Sequence, residues 1–210
     1  MYTPRAFRQD DPAALAGLVG AFPLATLVSV GPGGLVASHL PLRAVGVPGP
    51  ITHLRGHLAR ANPHVDGLDG AAALAVFTGP AGYVSPSAYA QKATDGAVVP
   101  TWDYAVVHAH GQVRIVDDVA WLRAEVAAAT ATHEASRAAP WSVDDAPPAY
   151  LERMLGAIVG VELAVARLDG KWKLSQNRSD ADRAGVVADL AATGAAELSA
   201  WVARAAEERR

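Results

Sequence analysis

The sequence predicts a mainly β fold with added helices (α+β), an antiparallel barrel rather than a parallel doubly wound sheet. Two observations carry this. About six apolar segments with strand-like spacing recur at short intervals along the 210 residues, and most are joined through turns short enough for hairpins.

Residues 10–19 read as an entry helix, with Asp10 or Asp11 as cap, Pro12 in the first turn, and Leu15, Leu18 and Val19 on one face. Residues 24–30 read as a strand, Gly31-Pro-Gly-Gly34 as a turn and residues 35–42 as the antiparallel partner. After a second Gly/Pro turn, residues 51–57 form a strand whose period of two puts His53, Arg55 and His57 on one face. Residues 59–68 look like a short, Pro-interrupted helix leading into an apolar strand at 72–78. The turn-rich stretch 79–100 is long for a compact domain and is therefore a functional candidate. A long strand follows at 104–116, helices at about 118–133 and 149–158, and a last strand at 159–168. Helices at 181–190 and 197–209 close the chain. The expected organisation is one domain over 1–210, with helical additions at about 118–158 and a C-terminal helical segment at about 179–210.

The bulk numbers describe a folded globular chain: 51% hydrophobic and 19% charged residues. The absence of cysteine excludes disulfides, thiolate metal sites and a thiol nucleophile, and fits a cytoplasmic location. No signal peptide or membrane-length apolar run is present, so no membrane association is expected. A formal net charge of -3 provides no global attraction for phosphates.

The two strongest phosphate fingerprints, Gly-x-Gly-x-x-Gly and a P-loop, are missing. A nucleotide would have to be held by side chains. Arg55 and His57 share a strand face, Gly56 permits close backbone approach and Arg60 follows, which makes a phosphate site or a surface salt-bridge strand. His108-x-His110 invites a metal hypothesis, but no His-Glu-x-x-His accompanies it and strand histidines are commonly just hydrogen-bonded, so no metal is expected. No nucleophile elbow is present. Thr101, Trp102 and Tyr104 at a strand entry suit a planar heteroaromatic ligand, although Trp102 taken alone reads as a core side chain. Residues 168–187 pack two lysines, two arginines, a Gln-Asn pair and a Trp after the last strand. Such a density of donors presents either a solvated turn or a surface for an anionic ligand or partner.

Several long motifs occur together in order. They are Met1-Tyr-Thr-Pro with Asp10-Asp-Pro12, Ser38-His-Leu-Pro-Leu42, Leu54-Arg-Gly-His-Leu-Ala-Arg-Ala-Asn-Pro63 and Tyr83-Val-Ser-Pro-Ser87. Further on stand Val99-Pro-Thr-Trp102, Tyr104-Ala-Val-Val-His108 and Gly170-Lys-Trp-Lys-Leu-Ser-Gln-Asn-Arg178. With these the chain closely resembles the PaiB-like family of FMN-binding split-barrel proteins, also named FMN-binding negative transcriptional regulators, over nearly its entire length. The resemblance implies a six-stranded antiparallel split β-barrel that forms a homodimer with FMN at the subunit interface. On that basis Arg55, Gly56 and His57 become candidates for the phosphate and Ser38, His39 and Leu40 for the flavin edge. Thr101 and Trp102 belong to the expected pocket, and Lys173, Gln176 and Asn177 complete it from the same or the other subunit.

Two positions depart from the family pattern. Ser87-Ala-Tyr89 stands for Ser-Trp-Tyr and Thr101-Trp-Asp-Tyr104 for Thr-Trp-Asn-Tyr, so Ala88 thins an aromatic wall and Asp103 adds a negative charge. The implied function is an FMN-binding transcriptional regulator or flavin-dependent sensor. The alternative is a flavin-dependent oxidoreductase or a haem-binding or haem-degrading split-barrel protein, with His108 or His110 as haem ligand. No helix-turn-helix stands out, and contact with DNA would need a local patch of Arg178, Arg183, Arg204, Arg209 and Arg210.

Overall fold

The computed structural model describes residues 1–207. The chain begins with strand β1 (Arg8–Gln9) and helix α1 (Pro12–Ala21), whose leading proline sits where its missing N–H has no partner to lose. The hairpin β2 (Leu24–Gly31) and β3 (Gly34–Pro41) follows, then β4 (Arg43–Val45) and β5 (His53–Ala59). Three long strands come next: β6 (Ala72–Val84), β7 (Thr101–Val116) and β8 (Ile158–Lys173). Helices α2 (Val119–Glu134) and α3 (Pro148–Gly156) lie between β7 and β8, and α4 (Asp180–Ala192) and α5 (Ala196–Glu207) follow β8. The strands form one antiparallel sheet in the order β3-β2-β6-β7-β8-β5-β4, with β1 on β8.

The expected fold class is the observed one, but with eight strands instead of six and with an open path instead of a closed barrel. The additional strands, β1 and β4, are two and three residues long, too short to show any alternation. Residues 59–68 hold a single 3-10 turn at Pro63–Val65 in place of the expected helix. Strand β8 runs on through the cationic stretch to Lys173, so that stretch begins within the strand and not after it.

The chain divides into two compact units. One comprises Pro12–Phe77 and His108–Leu168; the other comprises Met1–Asp11, Thr78–Val107 and the residues from Asp169 onward. In the first, β2 pairs with β3 from Leu24↔Pro41 to Gly31↔Gly34, and Ala25, Leu27, Leu40, Leu54 and Leu58 turn inward. The two ends of the sheet path, β3 and β4, are consecutive in the chain and separated only by Leu42, whose side chain is fully buried and whose N–H donates to Pro23 O at 2.9 Å. At this bend β3 lies directly on β5: a Cβ at Gly56 would stand 2.4 Å from Pro41 O. Gly56→Ala is therefore expected to cost about 2 kcal/mol in chemical denaturation. Unchanged stability would show that the bend has room to yield.

Helix α2 is capped by Asp118, which accepts from the Trp121 N–H at 2.7 Å. The Trp121 ring rests on β8 at Gly160, where a Cβ would come within 2.3 Å of the indole. Leu122 packs with Val143, Leu151 and Leu155 in a small core of its own. Each such burial is worth about 1.5–3 kcal/mol. The helix is thereby fixed over the outward side chains of β4 and β5.

In the other unit, β1 pairs with β8 through Arg8↔Lys171 and Gln9↔Gly170. Ser179 caps α4 by accepting from the Asp182 N–H, and Asp180 and Asp182 complement the dipole in the first turn. Helices α4 and α5 pack through Leu190, Leu198 and Val202. Trp172 is 7% exposed and meets Trp201 of α5, with ring centroids 5.9 Å apart. It anchors α5.

Candidate functional site

In the unit of residues 12–77 and 108–168, a cavity of about 680 Å³ is bounded by α1, the β3–β4 bend, β5 and α2. Its apolar wall includes Val19, Leu42, Val47, Val126 and Trp141, and its polar side includes Arg43, Arg55, His57, Glu125, His133 and Glu134. This combination of size, apolar wall and few polar groups is that of a cofactor or small-molecule site.

The charges are arranged in two clusters. Arg43 and Glu125 form a bidentate pair, Nε to Oε1 at 2.9 Å and Nη2 to Oε2 at 2.6 Å. Arg55 donates from Nε to Glu162 Oε2 at 2.6 Å, and Arg114 donates to Oε1 of the same carboxylate at 2.7 and 3.1 Å. The Arg55 guanidinium also lies 5.7 Å from the centroid of the Trp121 ring. Burial pushes the Glu162 carboxyl up, but hydrogen bonds from Arg114 and Arg55 outweigh this and hold it below the usual glutamate value. Loss of water around His57 lowers its pKa, and Glu125 opposes that shift.

Of the residues that the sequence marks in this unit, Arg55, Gly56 and His57 line the cavity. The close approach at Gly56 is made by Pro41 of the chain itself. Ser38 and Leu40 face inward. Ser38 Oγ is hydrogen-bonded to His64 Nδ1 at 2.8 Å and accepts from Asn62 Nδ2 at 3.3 Å, while His64 Nε2 meets Ser29 Oγ at 2.8 Å. Burial lowers the His64 pKa, which disfavours the charged imidazole between the two hydroxyls. His39, between Ser38 and Leu40, points outward and is exposed. His108 and His110 have ring centroids 6.3 Å apart on β7, and among the described residues no three His, Asp or Glu side chains come together as a metal set.

The other unit gathers Thr101, Trp102 and Lys173. The Lys173 ammonium donates to Thr101 Oγ1 at 2.6 Å, Trp102 O at 2.5 Å and Asp103 Oδ1 at 3.4 Å, which occupies all three of its donors. Asp103 is fully buried and also accepts from Ser175 Oγ at 2.6 Å. Gln176 folds onto its own turn, accepting from the Leu174 N–H at 2.7 Å and donating to Trp172 O at 2.6 Å. Asn177 is exposed beside a second cavity of about 400 Å³ that Ser179 and Asp182 also line. Trp102 is 58% exposed, against its reading as a core side chain.

Arg43, Glu125, Glu162 and Trp141 went unmarked in the sequence. Register offers one signal for Arg43, which stands directly opposite Arg55. No spacing connects Glu125 or Trp141 to that strand.

The family described as "Putative FMN-binding domain" matches residues 1–167. An uncharacterised protein of Emericella nidulans is 35% identical over 161 residues, 64% of each chain, so the chain spans less than two thirds of that relative's length. The protease synthase and sporulation protein PAI 2 of Bacillus subtilis is 30% identical over 191 residues, covering 90% of this chain and 89% of that one. Among solved structures, the FAD and haem binding protein of Mycobacterium smegmatis superposes with a TM-score of 0.61 at 21% identity, over 84% of this chain and 78% of that one. At that identity the likeness concerns the fold.

Proposed function

The chain belongs to the family of FMN-binding domains, and from that premise we propose that it holds FMN in the cavity beside β5. A flavin is the cofactor that goes with this family, and when bound it supplies one- and two-electron redox chemistry. The cavity carries the reading, because one side holds arginines paired with carboxylates and the other is apolar. Arg43 is balanced by Glu125, whereas Arg55 and Arg114 share the single carboxylate of Glu162, which leaves one positive charge in that second cluster. Arg43 has its fork filled by Glu125, whereas Arg55 commits only Nε to Glu162. Arg55, with His57 beside it, is thus the group that meets a phosphate. Val19, Leu42, Val126 and Trp141 exclude water from the ring.

Arg55→Ala is expected to weaken FMN binding about 10- to 100-fold, the worth of one charge-assisted contact. Flavin fluorescence in an FMN titration reads this directly. Colourless protein that leaves flavin fluorescence unchanged on titration overturns the reading, and an Arg55→Ala variant with wild-type affinity removes Arg55 from the site.

In the cell this reading corresponds to a cytoplasmic homodimer acting as a flavin-responsive regulator. The name of the Bacillus subtilis relative, which concerns protease synthesis and sporulation, supports a regulatory role. The described arginines available for direct contact with DNA are engaged within the chain. Arg178 stacks on Tyr89 at 4.4 Å, Arg183 donates to Arg178 O and pairs with Asp180, and Arg204 lies over Trp201. Arg209 and Arg210 lie outside the described residues. A gel-shift with the upstream region of its own gene, run at several salt concentrations, tests DNA binding, and light scattering tests the dimer.

A further inference from the structure

Lys171 is only 9% exposed, yet its ammonium makes no hydrogen bond or ion pair with any described residue. Its ammonium stands over two rings instead, 5.2 Å from the centroid of Tyr104 and 5.9 Å from that of Tyr2. Ring faces offset part of the desolvation of a cation but do not replace a counter-ion. Its Nζ is also not sealed away from solvent. Lys173, two residues along the same strand, has three oxygen acceptors. The unit thus neutralises one lysine and leaves the other open to an incoming anion.

The surroundings of Lys171 continue the pattern. Arg8 is its direct partner in the β1–β8 ladder, and side chains of paired residues project from the same face. Arg8 is exposed and has no ion pair among the described residues. On β7, Trp102 and Tyr104 alternate outward around the inward Asp103. Trp102 is 58% exposed and Tyr2 84%. One face therefore carries two cations without acidic partners and three aromatic rings. Phosphate attracts the first set, and a planar base stacks on the second.

We propose that this face is a nucleotide site separate from the cavity, with Lys171 and Arg8 taking the phosphate and Trp102, Tyr104 and Tyr2 the base. It does not depend on the flavin reading. The test is calorimetric titration of the full chain with adenosine monophosphate, adenosine, inorganic phosphate and FMN. The monophosphate is expected to bind at least about tenfold more tightly than adenosine or phosphate alone, because only it engages both halves of the face. Lys171→Met, which keeps the buried stem, should lose about tenfold in affinity for the monophosphate. Arg55→Ala should retain it. Trp102→Ala alters an exposed side chain and leaves folding intact; it should narrow the gap between monophosphate and phosphate. Undetectable binding of adenosine monophosphate at millimolar concentration, or Lys171→Met with unchanged affinity, overturns the proposal. Loss of FMN binding in Lys171→Met but not in Arg55→Ala would place the flavin on this face and overturn both the second site and the cavity reading. Loss in Arg55→Ala alone leaves the two sites separate.

Discussion

Glu162→Ala is expected to lower stability by about 3 kcal/mol, the low end of what breaking a buried ion pair costs. The carboxylate is 7% exposed and joins Arg55 and Arg114 across β5, β7 and β8. Its removal leaves two guanidiniums without a counter-charge. Arg114 is 59% exposed and can return to water, but Arg55 at 31% can do so only in part, which is why the penalty falls mainly on Arg55. The pH dependence follows from the direction of the shift. The folded-state pKa of Glu162 lies below the ordinary 4.5, so the ionised group contributes stability that is fully present above that value and lost as pH falls through the folded one. The acid limb of the stability profile should therefore be flatter in the variant than in the wild type. Urea denaturation at neutral pH and at several acidic values measures both effects. A variant within about 0.5 kcal/mol of wild type at neutral pH would show that Glu162 is dispensable, as surface positions are.

The hairpin of β2 and β3 was legible because Gly31-Pro-Gly-Gly34 separates two alternating apolar runs, and alternation is a local property. Strand β1 was not, and neither was the end of β8 from Asp169 to Lys173. Their ladder is made by backbone groups whatever the side chains are, and the polar residues there show no period. The candidate site divides in the same way. That Arg55 and His57 share a face follows from the period of two, and both indeed line the cavity. What completes the cavity, Glu125 on α2 and Trp141 beyond it, depends on how a helix lies over a sheet, which no spacing encodes. Donor density singles out residues 168–187 but says nothing of acceptors. Lys173 and Gln176 find theirs within the chain, while Lys171, on the same strand, finds none.

Asp103 separates a structural role for its hydrogen bonds from one for its charge. Asp103→Ala is expected to cost about 3 kcal/mol; Asp103→Asn should cost less than about 1 kcal/mol. Alanine deprives Ser175 Oγ of its acceptor and the Lys173 ammonium of its counter-charge, one of its three acceptors. Ser175 is held at φ 60, a left-handed conformation that costs a non-glycine residue about 1–2 kcal/mol, and its bond to Asp103 helps hold it there. Asparagine keeps an acceptor at the position and buries no charge. Burial raises the Asp103 pKa, and the hydrogen bond from Ser175 and the charge of Lys173 oppose the shift without cancelling it. A folded-state pKa above the ordinary 3.8 means that this group's contribution is fully present below that value and is lost as pH rises through the folded one. Wild-type protein should therefore lose ground to Asp103→Asn between about pH 4 and neutrality, the opposite sense to Glu162. Equal destabilisation by alanine and asparagine would assign the effect to charge alone, and a gap between wild type and Asp103→Asn that stays constant with pH would show that the buried carboxylate does not titrate differently on folding.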